Sequence, residues 1–287
     1  MIGRLRHHPL IVHFHGPWAE ESAVSGRSGA LSIRIKSLME RQIYQRATRL
    51  IVLSEAFKHL VVDRYGVRAE LVEVVPPGVD LDRFTPGRAE ARARLGIETE
   101  QVVFAARRLV PRMGLDILIQ AWAMLPANKG RQLRIAGDGS ERSRLQSQIA
   151  DLGLTESVHL LGRVDEHLLV DHYRAADVCV VPSVALEGFG LVVLEALACG
   201  APTIVTDVGG LPEVVGDLDP SLVVLSGQID ALAERLAAAL EGKVPDSDAC
   251  RTHAEKFTWA RAVERTLVVL SAVSAEATRA QAAPRSP

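Results

Sequence analysis

Short apolar runs alternate with amphipathic helical stretches along almost the whole of this 287-residue chain. That alternation is the pattern of a parallel sheet covered by helices: parallel strands are buried on both faces, and each crossover is long enough to be a helix. The runs predict strands at residues 10–14, 50–53, 71–75, 102–106, 133–136, 158–161, 178–181, 203–205 and 222–225. Between them, Leu31, Ile35, Leu38, Met39 and Ile43 recur at helical spacing. So do Leu115, Leu118, Ile119, Trp122 and Leu125, and later Ile229, Leu232, Leu236 and Leu240.

One segment interrupts the alternation. From Pro76-Pro77-Gly78-Val79-Asp80 to Pro86-Gly87 there is no periodicity, and the prolines and glycines read as a rigid turn leading into a linker. The six strands beyond it make a complete doubly wound domain, whereas only three precede it. Such a domain takes about 100–150 residues, so the opening stretch reads as the second half of one whose first strands are absent. That predicts an exposed sheet edge beside residues 10–14. The expected organisation is a partial N-terminal domain over 1–85 and a complete domain over 86–256. A helix over 257–274 then packs back toward the first, followed by a disordered tail over 275–287.

Composition excludes several classes of function. Thirty-three Lys and Arg against 35 Asp and Glu, with only six Phe, three Trp and three Tyr, give neither the basic surface nor the stacking platforms of a nucleic-acid binder. Cys179, Cys199 and Cys250 are far apart and odd in number, which speaks against a disulfide scaffold and for a reducing cytosol. No apolar run approaches the ~18 residues of a membrane-spanning helix. Residues 1–9 are basic, but the three apolar residues before His13 are too few for a secretory signal. The expected location is the cytoplasm.

The richest segment is Glu187-Gly188-Phe189-Gly190-Leu191-Val192-Val193-Leu194-Glu195, which follows a strand and opens a helix. A glycine-rich turn at a helix N-terminus offers unpaired N–H groups and a positive dipole end to a phosphate. Eight residues at ~1.5 Å rise separate the two carboxylates by about 12 Å, the reach of a diphosphate-linked ligand. They suit hydroxyl-rich groups on either side of the anion, or else they are a loop cap and a solvated helix residue. In Arg107-Arg108-Leu109-Val110-Pro111-Arg112-Met113-Gly114 three arginines crowd a strand end, where open α/β sheets bind ligands and where Arg suits a phosphate. Gly137-Asp138-Gly139 and Asp207-Val208-Gly209-Gly210 are tight turns on the same sheet edge. The first fails as a dinucleotide fingerprint, because Arg142 stands at its third glycine. His15, with His13 two residues before it, lies just past the first strand and is a candidate ligand contact. Asp80-Leu81-Asp82 resembles a metal-binding Asp-x-Asp, but it lies in the linker, and the arginines remove the need for a cation.

Together these segments resemble the retaining glycosyltransferases of family 4 (the glycosyl transferases group 1 domain) with the GT-B fold, from about His13 to Trp259. Glu187 to Glu195 matches that family's Glu-x7-Glu motif, including its Gly-Phe-Gly core. Val75-Pro76-Pro77-Gly78-Val79-Asp80 is similar to its pNGVD linker entry, with Phe84 following, and residues 108–114 resemble its GRLxxxKG stretch. Ala136-Gly137-Asp138-Gly139 matches its GxG turn, and Phe257-Thr258-Trp259 the fsW opening of its last helix.

The resemblance implies an α/β chain of two Rossmann-like doubly wound domains, the N-terminal one incomplete. It also implies a bacterial enzyme that transfers a sugar from a nucleotide-diphosphate sugar to a glycan, lipid or small-molecule acceptor, keeping the anomeric configuration. Neither metal nor other cofactor is expected. Arg108 would contact the diphosphate together with backbone N–H groups near Gly190 and Leu191. Glu187 would hydrogen-bond the transferred sugar, Glu195 the ribose, and His15 the sugar from the N-terminal domain; Glu187, His15 and Arg108 are the expected catalytic set. Arg112, Gly137, Gly139, Val164 and Phe189 complete the expected donor contacts. Front-face substitution, with the leaving diphosphate taking the acceptor's proton, needs orientation and charge stabilisation more than a nucleophile.

Two residues depart from the family pattern. Met113 replaces the usual Lys, a loss of roughly 1.5–3 kcal/mol for a charge-assisted contact unless Arg112, the preferred substitute, or Arg107 makes it good. Arg107 itself replaces a Gly. A non-catalytic nucleotide-sugar-binding fragment is the alternative function; a Rossmann oxidoreductase is remote. The helix around residues 32–46 combines its apolar stripe with Arg34, Lys36, Arg41 and Arg46 against Glu40. It reads either as an ordinary helix packed on the sheet or as a peripheral contact with anionic lipid.

Overall fold

The computed structural model describes residues 8–24 and 29–282 and divides into two compact units, Met1–Gly78 with Trp259–Pro287, and Val79–Thr258. In the first unit the strands β1 (Ile11–His13), β2 (Arg49–Val52) and β3 (Val72–Val74) form a parallel sheet in that order. Alternation along β2 sends its residues to opposite faces. Leu50 and Val52 join Phe14, Phe57, Val61 and Tyr65 in one core, while Ile51 meets Val75, Ala262 and Val269 in another. The first core lies under α2 (Ala30–Gln45) and α3 (Glu55–Tyr65), the second under the long final helix Trp259–Ala282. Ser54 caps α3 by accepting from Phe57 N at 3.1 Å, and Gly66, in the left-handed conformation, ends it.

The short helix α1 (Trp18–Val24) is fastened by a carboxylate from α2. Glu40 is 4% exposed. Its Oε1 accepts from Trp18 N (2.7 Å) and Tyr44 OH (3.2 Å), its Oε2 from Ala19 N (3.3 Å) and Tyr65 OH (3.2 Å). A buried charge survives only when its lone pairs are satisfied, and here four donors do so at a helix N-terminus whose dipole also favours an anion. Burial, with the Glu40 charge adding to it, pushes both tyrosine hydroxyls well above their usual pKa.

The second unit holds a six-stranded parallel sheet ordered β6-β5-β4-β7-β8-β9. Its strands are β4 (Gln101–Ala106), β5 (Arg131–Ala136), β6 (Val158–Gly162), β7 (Val178–Val181), β8 (Thr203–Thr206) and β9 (Val223–Val224). The central strands β4 and β7 are apolar because both faces are covered: Val102, Val103, Phe104 and Ala105 are at most 1% exposed, and all of β7 is buried. The helices of this unit are α4 (Arg88–Arg94), α5 (Leu115–Ala123), α6 (Arg142–Asp151), α7 (Glu166–Ala175), α8 (Leu191–Ala198), α9 (Leu211–Val215), α10 (Ile229–Leu240) and α11 (Ser247–Ala254), which makes the final helix α12. Cys179, Cys199 and Cys250 are all free and buried.

All nine expected strands form, each within two residues of its predicted ends. The compact units divide at Gly78/Val79, seven residues ahead of the expected 85/86, because the linker is bound to the second unit: Arg251 donates to Leu81 O (3.1 Å) and Phe84 O (2.6 Å), Arg174 to Thr85 O (2.6 Å), and Phe84 is buried against Tyr173. The expected tail at 275–282 is helix, since Val273 is buried and Glu276 pairs with Arg49 at 2.5 Å; residues 283–287 lie outside the described residues. The apolar stripe of α2 does not pack on the sheet: Leu31, Ile35, Leu38, Met39 and Ile43 are all exposed. The sheet edge at β1 is open, as expected. Ile11 and Val12 are half-buried against the two cores, while β2 is the one strand paired with β1 among the described residues.

Candidate functional site

Strand order in the second unit reverses between β4 and β7, and an open α/β sheet binds ligands outside the carboxyl ends of the strands at such a point. From β4 the chain runs through Arg107, Arg108 and a 3-10 turn, Pro111–Met113, into α5. From β7 it runs through Pro182 and Ser183 to Glu187, Gly190 and α8. Apolar strand cores deliver both loops to the same edge.

There Glu187 is 8% exposed, with its Oε1 at the centre of a cluster of donors. It accepts hydrogen bonds from Arg107 Nη2 and, at 3.0 Å, from Ser183 Oγ. Arg107 Nη2 also donates to Ser183 Oγ at 2.5 Å, and Met113 Sδ lies 4.0 Å from the same hydroxyl. Arg112 Nη1 stands 3.8 Å from Glu187 Oε1 and donates to Leu186 O at 2.9 Å. Leu186 has φ +58°, a left-handed conformation that costs a residue with a Cβ roughly 1–2 kcal/mol. The Arg112 bond helps hold it there. Arg108 is exposed beside this cluster.

Glycines let the neighbouring loops close on this edge. A Cβ on Gly137 would lie 1.8 Å from Arg107 O, and one on Gly209 1.8 Å from Glu187 O. The β5 loop is thus pressed on the β4 loop, with Leu109 N donating to Asp138 O at 3.0 Å; Gly139 sits exposed in the same turn. The β8 loop is pressed on the β7 loop, with Gly210 N donating to Glu187 O at 3.2 Å and Thr206 Oγ1 to Ser183 O at 2.6 Å. Gly190 opens α8 at φ +96°, and Leu191 begins its first turn, where N–H groups have no intrahelical partner. The Phe189 side chain turns inward onto Phe257, at 5.7 Å between ring centroids, and is buried away from the edge.

The other expected residues lie around this cluster or outside it. Glu195, on α8, accepts from Tyr173 OH at 3.0 Å; burial raises its pKa and the phenol bond opposes the rise. Val164 is half-buried just past the edge strand β6. His15 belongs to the first unit, exposed, with its Nε2 2.9 Å from His13 Nδ1. Burial, and then His15, lower the pKa of His13. Asp80 is occupied locally: its Oδ1 accepts from Asp82 N and Arg83 N, each at 3.1 Å. Among the described residues no group of three or more His, Cys, Asp or Glu could hold a metal ion.

Sequence reasoning placed Arg107 among the phosphate-suited arginines and as a departure from the family's Gly, without linking it to Glu187, and passed over Ser183, although its place in a Pro-Ser turn after a strand was a usable signal. Leu186 and Tyr173 gave none. What the edge offers is cationic and dipolar groups for an anion, beside a carboxylate held for a hydroxyl.

The sequence profile described as "Glycosyl transferases group 1" matches residues 87–257, more than half of the chain, and that described as "Glycosyltransferase Family 4" matches residues 1–83. The chain belongs to the glycosyl transferases group 1 family. Among curated relatives, D-inositol 3-phosphate glycosyltransferase of Geodermatophilus obscurus is 39% identical over 256 residues, which are 85% of this chain and 56% of that protein. The enzyme of the same name from Mycolicibacterium smegmatis is 36% identical over 271 residues, 92% of this chain and 62% of that one. The chain therefore spans a little over half the length of these relatives. Among solved structures, sucrose-phosphate synthase from Thermosynechococcus elongatus superposes with a TM-score of 0.79 at 26% identity, covering 95% of this chain and 71% of that one. Anabaena HepE in complex with UDP gives 0.78 at 25% identity, covering 94% and 73%. The glycosyltransferase family and the GT-B class of two Rossmann-like parallel-sheet domains are thereby established for this chain.

Proposed function

We propose that this chain supplies the donor site of a glycosyltransferase that moves a sugar from a nucleotide-diphosphate sugar to an acceptor, with retention and without a metal ion. The observation that carries the reading is the convergence of Arg107 and Arg112 on Glu187 at the switch point of the six-stranded sheet, with Arg108 exposed on the same loop and the N-terminus of α8 following Glu187 in the chain. In this reading Arg108 and the first turn of α8 stabilise the departing diphosphate, Glu187 orients the sugar and Glu195 binds the ribose. The diphosphate takes the acceptor's proton as the new bond forms on the same face. His15 keeps the sugar-contacting role that the resemblance gives it. UDP in the HepE structure supports a uridine nucleotide, and the names of the curated relatives support a small polyol phosphate as acceptor. The exposed apolar stripe of α2, among Arg34, Lys36 and Arg41, supports a peripheral contact with anionic lipid at the cytoplasmic face.

The test is release of nucleoside diphosphate from UDP-sugars and GDP-mannose in the presence of D-inositol 3-phosphate. Transfer by the native chain, with a loss of about 100-fold or more in Arg108→Ala and Glu187→Ala, is expected. A chain that binds donor yet neither transfers nor hydrolyses it would replace transfer with binding alone.

A further inference from the structure

We propose that Arg107 is a positioning residue for sugar recognition: together with Ser183 it pins one oxygen of Glu187, so that the other is presented to a hydroxyl of the transferred sugar. This rests on the donor-site reading above. The asymmetry at Glu187 points to it. Arg107 Nη2, Ser183 Oγ and, more distantly, Arg112 Nη1 all converge on Oε1, whereas Oε2 accepts no hydrogen bond among the described residues. A carboxylate fixed through one oxygen by a cation and a hydroxyl has its remaining lone pairs aimed in a set direction. The Arg107 side chain is 7% exposed, and its Nε finds no partner among the described residues. Its orientation is therefore set through Nη2, by Glu187 and Ser183.

Met113 completes the picture. Its sulfur reaches the same Ser183 hydroxyl, so positions 107 and 113 deliver side chains to one spot. A long cation at 113 would crowd the Arg107 guanidinium. The two departures thus meet at Ser183, Arg107 from the end of β4 and Met113 from the turn before α5.

Calorimetric titrations of UDP-glucose, UDP-galactose, UDP-N-acetylglucosamine and GDP-mannose, each beside its own UDP or GDP, test this. For the tightest-binding sugar nucleotide, Arg107→Gly is expected to weaken affinity about tenfold while changing that of the bare nucleoside diphosphate less than about threefold. Arg107→Lys is expected to stay within about threefold of the native chain. Arg107→Gly combined with Met113→Lys is expected to regain most of the loss. If Arg107→Gly does not fold, Ser183→Ala and Arg107→Lys decide, with Ser183→Ala expected to weaken the sugar nucleotide selectively. Equal losses for sugar nucleotide and bare nucleotide would make Arg107 a diphosphate ligand and overturn the proposal, as would no loss at all. A native chain that binds neither UDP nor GDP would instead overturn the donor-site reading itself.

Discussion

Glu40 shows how far a single residue can depart from its appearance in the sequence. On the helical pattern it is the one acidic residue among basic neighbours, an ordinary member of a solvated face. In the fold it is buried and takes four hydrogen bonds, two of them from the backbone of α1. Its partners lie from 4 to 25 residues away, and no local pattern announces a contact of that span. Glu40→Gln places an amide donor among four donors, and the expected cost is about 1–3 kcal/mol in urea unfolding. A loss below about 0.5 kcal/mol, the usual limit for an exposed surface change, would show that the carboxylate is not the fastener described. The arginine loop is the converse case. The sequence flagged 107 and 113 as departures and 112 as the substitute, but which arginine meets Glu187 depends on where the β7 loop comes to lie.

At the scale of elements, strands were the most legible part. The central strands β4 and β7 are short, largely apolar runs between turn residues, because both of their faces are buried. The final helix was misread at its end because an Ala-rich, polar stretch resembles a tail by composition. Ala is also the best helix former, and Val273 with the Glu276–Arg49 pair anchors the extra turns. For α2 the period was right and the face wrong, since an apolar stripe says that a face exists but not what covers it. The exposed stripe predicts co-flotation with vesicles containing anionic lipid and little with neutral ones. Replacing Leu31, Ile35 and Leu38 with Ser should abolish it, whereas equal recovery with both vesicle types would remove the lipid contact from the account.

At the scale of the whole molecule, the sequence located two units and the linker between them. What it did not show is that the linker packs with the second unit, because the hold of Arg251 and Arg174 on residues 81–85 joins segments more than 80 residues apart. The glycine turns were legible as a ligand edge, yet part of their purpose is internal: Gly137 and Gly209 let the four loops pack backbone against backbone. The central claim is that this edge is a nucleotide-sugar site. Thermal unfolding with a panel of nucleotide sugars tests it most directly, because a ligand at 100 times its Kd adds about 2.7 kcal/mol, which raises Tm by roughly 5–10 °C in a domain of this size. The account predicts such a rise with at least one UDP- or GDP-sugar for the native chain, and its loss in Arg108→Ala and Glu187→Ala. No rise with any of them, or one that both variants retain in full, would contradict it.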